Sequence, residues 1–276
     1  MPEKLPQTIK TADPSKFSLV EEALDLELKG TETRPFIFSD VYGKEVRIYV
    51  DKATGERFHK ISHERVARHK LLVLILKGII NVSDIVKVGN DYYSHEQNFD
   101  NILPTEGNVL DEMEADMIIL GDVFRDYDHG YFNIHNQNLI TTSAKDPGAV
   151  LENRNLRVDK DHTKLSFFDF DYFDLDRLLE KGEHLDISEL KRKFKNTLRH
   201  TQFAPNTNTE RILSILKKKV GILLALFEDN EFERFTKIIQ KSGIQLKEEG
   251  GERILFDNIR LRLQALSIVL SQSLKN

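Results

Sequence analysis

The chain has 276 residues, 39% hydrophobic and 31% charged, with 45 acidic against 40 basic side chains and a formal net charge of −5. This is the composition of a globular protein with one large or two small domains, and it excludes a disordered chain and a general nucleic-acid binder. There is no cysteine, which removes disulfides, thiolate zinc sites and cysteine nucleophiles and suits a reducing compartment. The longest apolar runs, Leu71 to Leu76 and Gly221 to Phe227, fall well short of the about 20 residues that a membrane-spanning helix needs. No transmembrane segment is expected.

Residues 1–17 carry Pro2, Pro6 and Pro14 and are expected to form a flexible arm. Ser18 to Lys29 has the spacing of a short amphipathic helix. Phe36-Ile37-Phe38 reads as a strand, and Glu45 to Val50 as a second because polar and apolar residues alternate. Asp51-Lys52-Ala53-Thr54-Gly55 is a hairpin turn, which makes Glu56 to Ile61 the return strand. Ser62 is placed to cap a helix from His63 to Lys77 that Gly78 ends. Ile85 to Val88 and Asp91 to Ser94 flank Gly89-Asn90 as a second hairpin. A loop over 98–108 leads into a helix from Val109 to Asp126, whose Asp111, Glu112 and Glu114 suit the positive end of the helix dipole. Phe132 to Thr142 and Leu165 to Phe170 read as strands, separated by a polar segment over 143–163. The rear is helical: Leu175 to Lys181, Ile187 to Gln202, Thr209 to Glu228 with Thr209 as cap, Glu231 to Lys241, and Arg253 to Ser273. No internal repeat or low-complexity tract is present.

Two short motifs carry chemistry. The first is Asp126-Tyr127-Asp128-His129-Gly130-Tyr131-Phe132-Asn133, with Asp128 and Asn133 spaced D-x-x-x-x-N. The second is Ser166-Phe167-Phe168-Asp169-Phe170-Asp171, an apolar strand ending in two aspartates. Magnesium favours carboxylate and amide oxygens. A carboxylate at the end of a Phe-rich strand projects from a rigid, partly dry edge, where charge acts strongly. A tight loop brings Asp128 and Asn133 over one site. Metal-binding oxygens, an orienting carboxylate and a cation on the phosphates are what phosphoryl transfer requires.

In these residues the chain resembles the protein-kinase superfamily, and more closely its atypical bacterial effector- or toxin-type branches than ordinary Ser/Thr kinases. Where the family has H-R-D-x-x-x-x-N, this chain has Asp126-Tyr127-Asp128 through Asn133; where the family has D-F-G, it has Asp169-Phe170-Asp171. The resemblance spans roughly residues 36 to 175 and implies an α+β, two-lobed fold. A small antiparallel β lobe (18–108, with one main helix) would be followed by a mainly helical lobe (109–276) that carries the catalytic-type loop. It also implies ATP and magnesium or manganese as cofactors, a protein substrate, Asp128 as the catalytic aspartate, Asn133 and Asp169 as metal ligands, and Asp171 as a further candidate ligand. Asp126 competes with Asp128 for the catalytic role. Such a protein is expected in the cytoplasm, or in a host cytosol after secretion by a bacterium, since Met1-Pro2-Glu3-Lys4-Leu5 has no apolar signal core.

The chain departs from the family in several places. No G-x-G-x-x-G lies on the first hairpin, where Asp40-Val41-Tyr42-Gly43 is the only glycine turn. The family's strand lysine lacks its V-A-I-K context; Lys60 takes that role before Lys52, with Glu64 as its partner on the helix that follows. His59, His63, His69, His129 and His135 lack a carboxylate at a known metal-site spacing and read as surface or loop residues.

Lys191-Arg192-Lys193, Lys195, Arg199 and His200 share one predicted helix, and Lys217-Lys218-Lys219 lie on the next. Lys191, Arg192, Lys195, Arg199, Lys217 and Lys218 form a candidate anion site for an inositol phosphate, a phosphoinositide headgroup or a phosphoprotein, the alternative being a solvated helix face. Other readings remain open. They are a pseudokinase acting as a binding module, a phosphoinositide kinase, and a phosphatase of the haloacid-dehalogenase type, whose nucleophile motif is also strand-D-x-D.

Overall fold

The computed structural model of the chain describes residues 9–11, 17–19, 38–39, 45–46, 48–51, 57–61, 63–88, 90–96, 99–100, 102–103, 108–126, 140–141, 151–152, 156–159, 165–167, 173–179, 186–200, 207–247 and 249–273. The front is rich in strands: β1 Ile9–Thr11, β2 Phe17–Leu19, β3 Phe38–Ser39, β4 Glu45–Val46, β5 Ile48–Asp51 and β6 Arg57–Ile61. Helix α1, His63–Leu76, separates these from β7 Asp84–Val88, β8 Asp91–Glu96, β9 Phe99–Asp100 and β10 Ile102–Leu103. Helix α2, Asn108–Ile118, runs into a π-helical turn, Ile119–Val123. Four strands follow, β11 Ile140–Thr141, β12 Leu151–Glu152, β13 Leu156–Asp159 and β14 Leu165–Phe167. The rear is helical: α3 Leu175–Leu179, α4 Ile187–His200, α5 Thr209–Leu226, α6 Phe232–Ser242 and α7 Gly251–Ser273. The fold class is α+β.

The main sheet has six strands in the order β1-β7-β8-β6-β5-β2. Every pairing is antiparallel except β1 with β7, where Ile9 lies opposite Ile85. The hairpin at Gly89-Asn90 forms as the sequence suggests, with Val88 opposite Asp91. Both edges of the sheet come from residues 9–19. Thr11 and Phe17 are six chain steps apart, at most about 21 Å. The edges of a flat six-stranded sheet would lie about 24 Å apart. The sheet is therefore curled enough to bring its first and last strands closer together.

Several expectations change at the front of the chain. Ile9–Thr11 falls within the expected arm yet forms β1. Ser18 and Leu19 lie in β2, paired with Val50 and Tyr49, instead of opening a helix; sheet pairing overrides local helical spacing. The alternating run from Glu45 to Val50 serves two sheets, since β4 pairs with β3 while β5 joins the main sheet. The segments 98–108 and 143–163, read as loop and polar connector, hold short strands that pair with each other, β9 with β13 and β10 with β12.

The rear helices pack around α7, which touches α3, α4, α5 and α6; α2 lies on α5, and α1 lies on α6 and on the sheet. Leu255, Phe256, Ile259, Leu263, Leu266 and Leu270 on α7 are fully or almost fully buried. The Phe256 ring meets Phe227, Phe232 and Phe235 at centroid distances of 5.2, 5.3 and 5.3 Å. Leu71 through Leu76 of α1 are all buried, because sheet and helices cover opposite sides of the same helix. Ile61, Val66 and Ile85 form a second, smaller apolar cluster beneath the sheet. The cap of α5 is Asn208, not Thr209: its side-chain oxygen accepts from the Arg211 backbone N–H at 3.0 Å. Gly78 adopts φ +75°, the left-handed conformation expected where α1 stops. Among the described residues, no helix is long and apolar enough to cross a membrane.

Candidate active site

The two motifs are flanked by residues that the fold fastens together. Asp126 and Phe173 form an isolated antiparallel bridge, reinforced by the Asp174 N–H donating to the Arg125 carbonyl at 3.2 Å. In sequence, Asp128 follows Asp126 by two residues and Asp171 precedes Phe173 by two. At the other end, Phe167 donates its N–H to the Asn81 carbonyl at 2.9 Å and accepts from the Ser83 N–H at 2.8 Å. This is a parallel bridge centred on Val82. Phe167 and Phe173, the residues on either side of 168–172 in sequence, are both buried.

The chain reaches Asp126 through an unusual turn. The helix that begins as α2 widens at Ile119–Val123, and the Phe124 N–H bonds back to the Ile119 carbonyl at 3.2 Å. The Asp126 N–H then reaches the Leu120 carbonyl at 3.0 Å. Between them Arg125 holds φ +59°, the only non-glycine residue with positive φ among those described. A side chain in the left-handed region is uncommon, and both π-turns and such conformations concentrate at functional sites. Asp126 itself is fully buried.

Helix α1 supports both anchors. His69 is buried, with its Nε2 2.9 Å from the Ser83 carbonyl; it is a core residue and corrects the surface reading given to it above. His63 is exposed and sets its ring edge-on to Tyr92, with centroids 5.3 Å apart. Arg68 reaches the far anchor, donating to the Phe173 carbonyl at 3.3 Å and to Asp176 at 3.0 Å.

The sequence-derived site residues fall into three groups. Asp128, Asn133, Asp169, Asp171 and Lys52 lie outside the described residues. Lys60 is on β6, opposite Tyr93 of β8, and Glu64 is the second residue of α1; their side chains lie outside those described. The basic residues are described. Arg192, Lys195 and Arg199 of α4, and Lys217 and Lys218 of α5, are exposed, while Lys191 is half-buried. Arg192 lies 3.9 Å from Glu189, one turn earlier. Helices α4 and α5 each pack on α7, with little contact between themselves, so the two basic sets do not share a helix–helix groove. Among the described residues, no group of three or more His, Asp or Glu side chains is placed to hold a metal ion.

Sequence reasoning missed a charged hub just ahead of the loop. Asp122, in the π-turn, has Lys193 of α4 at 3.9 Å, while Arg262 of α7 donates to the Asp122 carbonyl at 3.2 Å. Burial pushes the Asp122 carboxyl above the usual carboxylate range; Lys193, Arg125, Arg262 and a hydrogen bond from Thr197 pull it back. Arg262 is itself buried. The signal in the sequence was an arginine at helical spacing between the apolar Ile259 and Leu266, since such a charge is almost never buried without a partner.

Comparison with protein-family models and with curated proteins gives no match to this chain.

Proposed function

We propose that the chain is an atypical kinase with a two-lobed protein-kinase-like fold, moving the γ-phosphoryl group of ATP to a Ser, Thr or Tyr hydroxyl of a protein. The observation that carries this reading is the Asp126–Phe173 bridge. It joins the flanks of two motifs that are more than 30 residues apart in sequence, as a common site requires. A second support is order. The antiparallel run β2, β5, β6 puts Lys60 on its third strand, and α1, carrying Glu64, comes next. The kinase lysine and glutamate have that order.

On this reading Asp128 orients the acceptor hydroxyl and takes its proton as the oxygen attacks phosphorus. The bond to the β–γ bridging oxygen breaks, and ADP leaves with that electron pair. Lys60 holds the phosphates and Glu64 holds Lys60. Asn133 and Asp169 would carry magnesium or manganese, with Asp171 beside them; the metal neutralises phosphate charge. The exposed basic residues of α4 are the binding surface for a phosphorylated ligand, an inositol phosphate or phosphoinositide headgroup. The working compartment is a cytosol, the cell's own or a host's, where ATP is supplied.

The absence of a G-x-G-x-x-G hairpin favours a second reading, a pseudokinase that binds a partner without transfer. Radiolabelled ATP separates the two. The kinase reading expects magnesium-dependent transfer that Asp169→Ala abolishes. Transfer retained in that variant overturns it, and ATP binding without transfer in the wild type favours the pseudokinase.

A further inference from the structure

Helix α1 is fastened to the segment behind the two aspartates by one side chain. The Arg68 guanidinium uses Nη1 on the Phe173 main-chain carbonyl and Nη2 on the Asp176 carboxylate. Phe173 is the residue bridged to Asp126, and the next residue, Asp174, bonds back to Arg125. Arg68 therefore joins the helix that carries Glu64 to the residue that follows 168–172, which is itself bridged to Asp126. Glu64 precedes Arg68 by one helical turn, so anything that fixes Arg68 along the axis fixes Glu64 as well.

This link contributes little to folding. Asp176 is 79% exposed and Arg68 33% exposed, and ion pairs that wet add little to stability. Its geometry is nonetheless specific. A planar fork spans a main-chain oxygen and a carboxylate at once, which a lysine ammonium on a flexible stem does not reproduce. A weak but directional tie between two parts of a reaction site acts on alignment, and small misplacements there cost large factors in rate.

We propose that Arg68 is a positioning residue that holds α1, the helix carrying Glu64, in register with the Phe173–Asp126 bridge that joins the flanks of the two motifs, without an external activator. The proposal rests on the kinase reading above. It expects that loss of Arg68 changes turnover more than nucleotide affinity, and leaves the fold in place.

The test uses the full chain as wild type, Arg68→Ala, Arg68→Lys and Asp176→Asn. ATP turnover, thermal unfolding and amide hydrogen exchange over 168–176 are the readouts. Arg68→Ala is expected to lower kcat about tenfold or more, with KM for ATP nearly unchanged, a melting temperature within about 4 °C of wild type, and faster exchange across the segment. Arg68→Lys should recover part of kcat. Asp176→Asn should keep most of it, because the bond to Phe173 remains. Wild-type kcat and unchanged exchange in Arg68→Ala overturn the proposal. If the wild type neither binds nor turns over ATP, the kinase reading fails. Exchange then decides the clamp alone: faster exchange in Arg68→Ala supports it, and equal exchange overturns it.

Discussion

Lys219 of α5 and Asp116 of α2 meet at 2.6 Å with their side chains 10% and 3% exposed. Glu112, one turn earlier on α2, joins at 2.7 Å. The pair ties α2, the helix that leads through the π-turn to Asp126, to α5 of the helical rear. Removing Lys219 leaves a buried carboxylate without its cation, which costs about 3–5 kcal/mol. Lys219→Ala is expected to lose that much stability in urea titration near pH 9, above the raised Asp116 value, where the carboxylate is ionised. A loss under about 1 kcal/mol, the size of an exposed pair, would show that the site relaxes to admit water.

The same site predicts a pH dependence. Burial raises the Asp116 carboxyl to about 7, and Glu112 adds to the rise, although Lys219 pulls it down. Folding thus favours the protonated form. Its contribution is complete below the ordinary carboxylate value of 3.8 and is lost as pH rises through about 7. Wild-type stability should fall between pH 4 and pH 7 relative to Asp116→Asn, which has no such proton. Parallel stability curves for the two proteins would contradict the raised carboxyl.

Asn208 caps α5 through the Arg211 N–H, and its own N–H donates to Asp111 at 2.8 Å. Asn208→Ala removes only the side-chain bond and is expected to cost about 1 kcal/mol. Asn208→Asp should be close to neutral, because its carboxylate accepts the same bond at the positive end of the helix dipole. Chemical denaturation of the two variants checks the pair.

Phe256 is the centre of a four-ring cluster and is fully buried. Phe256→Ala should cost about 3–5 kcal/mol, from lost burial and an unfilled cavity. Phe256→Leu should cost less, because more of the volume stays filled. Near-ultraviolet circular dichroism and denaturant midpoints report both.

Lys60 and Glu64 provide a functional prediction. If they pair over the nucleotide, Lys60→Ala and Glu64→Ala each weaken magnesium–ATP binding, and the double variant loses less than the sum, with a coupling of about 0.5–3 kcal/mol. Calorimetric titration measures the cycle. Strict additivity would assign the two residues to separate tasks.

The helices were legible where the pattern is long. The expected helices at α1, α4, α5, α6 and α7 match the structure within a few residues, because apolar residues recur over three or more turns. Strands β9, β10, β12 and β13 were not, since two to four residues carry no period and their partners lie far along the chain. Strand β1 escaped notice for the same reason, its proline-rich surroundings pointing to an arm. At the candidate site, Asp128, Asn133 and Asp169 stood out as a pattern of side chains. What holds their flanks did not. The bonds of Phe167 to Asn81 and Ser83 run between main-chain atoms, which leave no mark on residue identity. Arg68 looked like any surface arginine of an amphipathic helix until its partner, over a hundred positions away, came beside it.

The curled sheet has a practical consequence for handling the protein. Strands β1 and β2 border it on opposite sides and derive from the same short stretch at the start of the chain. A trimmed version lacking residues 1–19 would bare β7 and β5 together, each with a row of unsatisfied amides and carbonyls. Exposed borders of that kind template pairing with other copies. Trimming the apparent tail to aid crystallisation is therefore the change most apt to yield a self-associating preparation, which light scattering would reveal.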